Sequence, residues 1–148
     1  MKRKWIIVGL SIIVLSACTA ENHDVKKTET LRVSDGVDGI DYSVSDLQNM
    51  DQKEVEFAGE PYLGVVLADL LVSAGHQLNS IKSVKAVAAD GYSVYYGFAQ
   101  YSREDVLVAY AKPGGTLAED DGLFRMVLPG EEGKLNLRML VELVVENE

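Results

Sequence analysis

The sequence predicts an α+β domain in which short strands predominate. Short apolar runs, rich in β-branched and aromatic residues, recur between Gly, Pro and Asp turn signals. Strand-like runs outnumber helix-like ones, and no long alternation of strands and helices marks a nucleotide-binding sheet. The 148 residues are 47% hydrophobic and 25% charged, which is the balance of one globular domain.

Strands are predicted where β-branched residues cluster or where apolar and polar residues alternate. The predicted strands are 31–33, 53–58, 83–89, 92–98, 106–111 and 124–128. Ser43 or Ser45 is positioned to cap a short helix that ends near Met50. The run 65–74 is apolar nearly all round and precedes Gly75, a typical C-terminal cap, so it predicts a short buried helix. Residues 137–145 predict one helical turn followed by a strand.

The first residues have the pattern of a bacterial export signal. A basic head at residues 2–4 precedes an apolar run, 5–15, that is too short to span a bilayer. The following Leu-Ser-Ala-Cys, which ends at Cys18, resembles the lipobox of lipoproteins, in which the cysteine sulfur takes the lipid. We therefore expect a signal peptide at 1–17, a lipidated Cys18 with a flexible polar tether over 18–30, and a globular domain over 31–148. A secreted protein with a free thiol is the alternative.

The charge balance excludes several classes of function. Lys and Arg number 14 and Asp and Glu number 23, for a formal charge of −9. Residues 1–17 hold three of the basic residues and no acidic one, so the remainder has 11 basic against 23 acidic residues, or −12. Such a polyanion repels nucleic acid and anionic head groups, so membrane contact is expected through the lipid alone. One cysteine and two histidines exclude an intrachain disulfide and an all-cysteine metal site.

Five segments, taken in order, resemble the oxidoreductase molybdopterin-binding domain, the fold of sulfite oxidase and its relatives. They are YLGVVLADLL with the following Ala74-Gly75, ADGY at 89–92, LVAY at 107–110, GLFRMVLPG at 122–130, and the run 138–145. The resemblance extends over about residues 42–146. It implies a mixed sheet with short helices and a cofactor cleft.

The resemblance also implies where family enzymes hold their metal, and this chain departs from that pattern. The family metal is bound by the pterin dithiolene and one cysteine thiolate, on the strand that corresponds to 53–58, where no cysteine stands. The family's proline after the glycine of the arginine motif is Leu123 here, and its lysine-tryptophan pair is Arg138-Met139. We therefore assign no catalytic residue and no metal and expect no cofactor, with molybdopterin or another pterin as the alternative.

Five residues are predicted to form the rim of a polar-ended ligand pocket. The family match places an arginine in the cofactor cleft at the position of Arg125, and Asp90 and Tyr92 carry a carboxylate and a phenol to a turn. Lys134 and Arg138, four residues apart, suit an anion clamp. Each has a simpler interpretation: a hairpin turn for Asp90 and Tyr92, a surface or buried structural charge for Arg125, and solvated charges for Lys134 and Arg138.

Three functions are compatible with the sequence. The first is a lipid-anchored domain on the extracytoplasmic face of the cell membrane that binds a small heterocyclic or anionic ligand, or docks on a membrane redox partner, without its own catalysis. The second is a molybdopterin-dependent oxidoreductase with an unusual metal ligand. The third is a structural or protein-interaction lipoprotein with a closed cavity. Calcium at Asp35, Asp38 and Asp41, or at the acidic run 119–121, is a further alternative.

The lipid anchor gives a direct prediction. Cys18→Ala removes the only sulfur that can carry the lipid, so we expect an unprocessed precursor or a shed protein, measured by membrane fractionation and the mass of the chain. Mature, cleaved Cys18→Ala protein retained in the membrane fraction would contradict the prediction.

Overall fold

The computed structural model describes residues 29–148. The signal sequence, Cys18 and all but the last residues of the predicted tether lie outside this range. Two five-stranded sheets contribute side chains to one main hydrophobic core. Within 29–148, no helix has the length and apolar character needed to cross a bilayer.

The first sheet brings the two ends of the described chain together at its centre. Its strand order is β2-β1-β10-β5-β6, and the central β1–β10 pair is parallel whereas the other pairs are antiparallel. Its strands are β1 (Thr30–Ser34), β2 (Gly39–Ser43), β5 (Ile81–Ala88), β6 (Ser93–Tyr96) and β10 (Leu140–Asn147).

The second sheet is organised around strand β7. Its order is β3-β4-β7-β8, and β9 pairs with β7 as well. Its strands are β3 (Lys53–Phe57), β4 (Glu60–Val66), β7 (Leu107–Lys112), β8 (Gly115–Thr116) and β9 (Arg125–Val127). Alternate β7 side chains point to opposite faces: Val108 and Tyr110 join the main core, while Leu107 and Ala109 join a smaller cluster with Tyr62 and its neighbours.

Short helices connect the strands. They are α1 (Val44–Gln48), α2 (Leu67–Ser73) and α3 (Phe98–Tyr101), with 3₁₀ turns at Leu78–Ser80, Glu119–Asp121 and Gly133–Leu135. Ser43 is the N-cap of α1, where Ser43 and Asp46 form a reciprocal capping box. After α2, the amide of Gly75 donates to Val72 and that of His76 donates to Leu71, which is a Schellman motif with Gly75 at a φ of +93°.

The mostly-β α+β class predicted from the sequence is confirmed, and each of the six predicted strands overlaps an observed one. The predicted helix at 65–74 is wrong at its start, because Val65 and Val66 end β4, a strand that the sequence analysis missed. In a run that is apolar on every side, hydrophobic periodicity does not distinguish a buried strand from a buried helix. Here the end of a buried strand is followed directly by a buried helix.

Two further boundaries differ from the prediction. Strand β6 ends at Tyr96, because Gly97 caps α3 and its amide donates to the Gln100 side chain. The helical turn expected at the start of 137–145 is also wrong, since the 3₁₀ turn lies earlier, at Gly133–Leu135, and β10 begins at Leu140.

Gly64 provides a test of how closely β4 and β7 approach. A Cβ atom on Gly64 would lie 2.2 Å from the main-chain oxygen of Val108, whereas one on Gly115 would meet nothing within 4 Å. Gly64→Ala is therefore expected to lower the free energy of unfolding by about 1–3 kcal/mol, the usual cost of overpacking. Gly115→Ala is the matched control with a change near zero. Equal denaturation midpoints for the two variants would contradict the observed β4–β7 contact.

Candidate functional site

An open cleft of about 490 Å³ lies at the end of β5, between the β5–β6 turn and the segment that leads into β10. Its lining combines apolar walls with carboxylates and cations. The lining residues are Ala88, Asp90, Tyr92, Asp120, Gly133, Lys134, Asn136, Leu137, Arg138 and Met139.

The structure brings four of the five predicted site residues together in this cleft. Asp90, Tyr92, Lys134 and Arg138 all line it. Their role in ligand binding stays a prediction. Arg125 is not among the lining residues; it is 3% exposed and lies in the interior.

Asp90 and Gly91 form the turn that presents Tyr92. The Asp90 carboxylate accepts a hydrogen bond of 3.0 Å from the amide of Tyr92, and Gly91 has a φ of +87°, a conformation that favours glycine. Thus the turn interpretation and the site interpretation of these residues are compatible. The turn leaves Tyr92 half exposed at the cleft.

Lys134 projects from a 3₁₀ turn that is held in place by hydrogen bonds from two buried side chains. The Tyr96 hydroxyl donates to the Leu135 carbonyl at 2.6 Å, and the buried Asn136 side chain bonds the main chain of Leu128, Glu131 and Glu132. A side-chain hydrogen bond with Glu132 raises the pKa of Lys134 above its usual range.

Arg138 is held between two neighbouring carboxylates. Its Nη1 donates to Asp120 Oδ2 at 3.0 Å, and its Nε lies 3.4 Å from Asp121 Oδ1. The Arg138 and Asp120 side chains are 58% and 73% exposed, so they lie in the solvated mouth of the cleft. The Asp121 side chain is only 5% exposed and connects this mouth to the interior.

Met139 has a backbone conformation that is unusual for a residue with a side chain. Its φ is +52°, and two main-chain bonds fix it: its amide donates to the Asp121 carbonyl, and its carbonyl accepts from Ala89. Gly122 lies against it, where a Cβ would come within 2.9 Å of the Met139 Cα. Strained residues of this kind cluster at functional sites, and this one is 44% exposed in the cleft.

Arg125 occupies the interior beneath the cleft instead of its rim. Its Nη1 donates to Asp121 Oδ1 at 2.7 Å and to the Tyr62 hydroxyl at 3.1 Å. Its guanidinium carbon lies 4.7 Å from the centre of the Tyr62 ring and 5.8 Å from that of Phe57. Burial requires a guanidinium to be paired, and Asp121 provides the partner that the sequence analysis left open.

Asp120 and Met139 are two of the six cleft residues that sequence reasoning did not select as ligand contacts. The family's lysine-tryptophan pair is Arg138-Met139 here, and this departure is a signal for Met139, whereas the acidic run 119–121 is singled out above only as a calcium alternative. The structure separates the members of that run, because Asp121 turns inward whereas Asp120 faces the cleft.

The calcium alternatives find no support in the described residues. Within 29–148, no group of three or more His, Cys, Asp or Glu side chains is arranged to hold a metal ion. The Asp35 carboxylate instead accepts from the amides of Val37 and Asp38, and these bonds lower its pKa. Asp41 pairs with Arg32 on the neighbouring strand.

Two sheets around one core, with short helices and a cleft beside β5 and β10, define the class of the sulfite oxidase-like fold. A family model for the oxidoreductase molybdopterin binding domain matches residues 56–148, so the chain belongs to that family. The family resemblance predicted from the sequence is thereby confirmed. A comparison with curated proteins found no match.

Solved structures show the same fold. The chain superposes on the sulfane dehydrogenase SoxCD from Paracoccus pantotrophus with a TM-score of 0.68 at 19% sequence identity. The match covers 82% of this chain and 39% of the SoxCD chain, so this chain spans well under half of that protein's length.

The described residues do not fit the metal-bearing form of the family cofactor. Residues 29–148 contain no cysteine that could provide a thiolate ligand, and strand β3 carries Lys, Glu, Val, Glu and Phe. The arginine that the resemblance assigns to the cofactor cleft is already neutralised by Asp121. The cations that line the open cleft, Lys134 and Arg138, are accompanied there by two carboxylates.

The interior position of Arg125 changes what its removal should do. Arg125→Ala leaves the Asp121 carboxylate buried without its main partner, so we expect the free energy of unfolding to fall by about 3–5 kcal/mol. Arg138→Ala, which removes an exposed partner of the same carboxylate, is expected to cost less than about 1 kcal/mol. Urea denaturation measures both values. Similar midpoints for the two variants would contradict the structural role of Arg125.

Proposed function

We propose that this chain is a lipid-anchored, extracytoplasmic member of the molybdopterin-binding domain family that binds a small flat ligand and does not catalyse a metal-dependent reaction. The cleft beside β5 and β10 is the observation that carries the proposal. It has the size of a small-molecule site, and its lining combines apolar side chains with a few charged and polar groups.

The walls of the cleft suit a planar heterocycle. Tyr92 offers the face of an aromatic ring, and Met139 offers a flexible, polarisable thioether. Tyr92 is 50% exposed and Met139 is 44% exposed, so both side chains are accessible in the cleft. The strained backbone of Met139 fixes where its side chain begins, which limits the entropy that ligand binding must cost.

The polar groups of the cleft suit an anionic substituent on that heterocycle. Lys134 and Arg138 both line the cleft, and both carry a positive charge at neutral pH. Since no thiolate ligand is available within 29–148, the ligand is proposed to be metal-free, with a pterin-like ring as the leading chemistry.

The predicted lipid on Cys18 supports the location part of the proposal. The basic head, short apolar run and lipobox-like segment together favour export and anchoring. The described domain is strongly acidic, with nine basic against 21 acidic residues over 29–148, which supports attachment through lipid rather than through a basic surface.

The cleft is tested by titration with pterin-6-carboxylate, followed by pterin fluorescence. Lys134→Ala removes a charge-assisted contact with the carboxylate, so the Kd is expected to rise about tenfold to a hundredfold. Lys82→Ala is the matched control, because Lys82 is an exposed lysine of β5 outside the cleft lining, and it should leave the Kd unchanged. Absence of binding by the parent, or an equal loss in Lys134→Ala and Lys82→Ala, would contradict the proposal.

A further inference from the structure

The cleft is lined by negatively as well as positively charged side chains. Two carboxylates, on Asp90 and Asp120, line it together with Lys134 and Arg138. The anion-binding capacity of Arg138 is therefore partly used, since Asp120 lies 3.0 Å from its Nη1 and Asp121 lies 3.4 Å from its Nε. A site built only to clamp an anion would not place a carboxylate on its own guanidinium.

We infer that Asp120 is a specificity-determining residue, which makes the cleft select an amphoteric heterocycle: a ring with two adjacent hydrogen-bond donors on one edge and an anionic substituent elsewhere. The inference deepens the proposed function and rests on it. It assigns the donor edge of the ligand to Asp120 and the anionic substituent to Lys134.

The geometry distinguishes the two cations. Lys134 pairs with Glu132 at 2.8 Å, but Glu132 is not among the cleft-lining residues, so the carboxylate partner of Lys134 does not itself occupy the cleft. Arg138 has its carboxylate partner inside the lining. An anionic substituent is thus favoured near Lys134 and opposed by like charge near Arg138.

Asp120 retains acceptor capacity for a ligand. A carboxylate has about four lone-pair sites on two oxygens, and the bond to Arg138 uses Oδ2. The side chain is 73% exposed, so the remaining sites are accessible from the cleft. Two adjacent donors on a ring edge, such as an amino group beside a ring N–H, match the two oxygens of a carboxylate in the way that a guanidinium does.

The experiment compares two probes that carry the same anionic substituent and differ at the donor edge. Pterin-6-carboxylate has an amino group beside a ring N–H, whereas lumazine-6-carboxylate has a carbonyl in place of the amino group. We expect the parent protein to bind the pterin at least about tenfold more tightly, because a hydrogen bond to a charged group discriminates by about that factor.

Asp120→Asn removes the charge while keeping the shape of the side chain. The preference for the pterin is expected to fall below about threefold, largely because lumazine-6-carboxylate binds more tightly once Arg138 is free. Glu132→Gln is the matched control: it removes an equivalent exposed carboxylate from Lys134 and should change both affinities alike, so that their ratio is kept. Thermal melts of both variants check that the domain stays folded.

The outcomes separate the inference from the proposed function. A pterin preference that is weak in the parent, or unchanged in Asp120→Asn, overturns the role of Asp120 while the cleft remains a ligand site. Failure of the parent to bind either probe overturns the proposed function and this inference together. A preference lost in Asp120→Asn and kept in Glu132→Gln supports both.

Discussion

The buried ion pair between Asp121 and Arg125 is the interaction on which the cleft depends. The two side chains are 5% and 4% exposed and lie 2.7 Å apart, with the Tyr62 hydroxyl and ring completing the environment of the guanidinium. Loss of either side chain would leave a buried charge without its main partner. The main-chain carbonyl of Asp121 also accepts a hydrogen bond from the amide of Met139, so the same residue holds the strained turn that precedes β10.

This arrangement explains how a member of the family can keep the fold while its interior chemistry differs. The arginine that the family resemblance assigns to the cofactor is satisfied here by a carboxylate from its own chain, and the domain has no cysteine for a metal. The positive charge of Arg125 is thus neutralised within the folded chain and is not available to an interior ligand. The groups free to meet a ligand lie further out, on the β5–β6 turn and the segment before β10.

Local sequence signals predicted the parts of the structure that depend on local geometry. The capping box at Ser43, the cap at Gly75 and the turn at Gly91 each follow from residue types with strong conformational preferences. The sequence analysis grouped Asp90, Tyr92, Lys134 and Arg138 with Arg125, and the structure places the first four, but not Arg125, along one cleft.

The remaining features depend on contacts between distant segments and were not accessible from one sequence. Strand β4 is specified by its close contact with β7 at Gly64, which no local period reveals. The interior position of Arg125 depends on which aspartate of the acidic run turns inward. Residues 120 and 121 are both aspartate, yet Asp121 is buried whereas Asp120 lines the cleft. Met139 adopts its left-handed conformation because Asp121, Gly122 and Ala89 surround it.

Elemental analysis of the protein purified from its own host tests whether this fold is retained without the metal chemistry of its family. We expect molybdenum and tungsten far below one atom per chain, because residues 29–148 hold no cysteine and the buried arginine is already paired. A content of about one metal atom per chain, retained through gel filtration, would contradict this expectation.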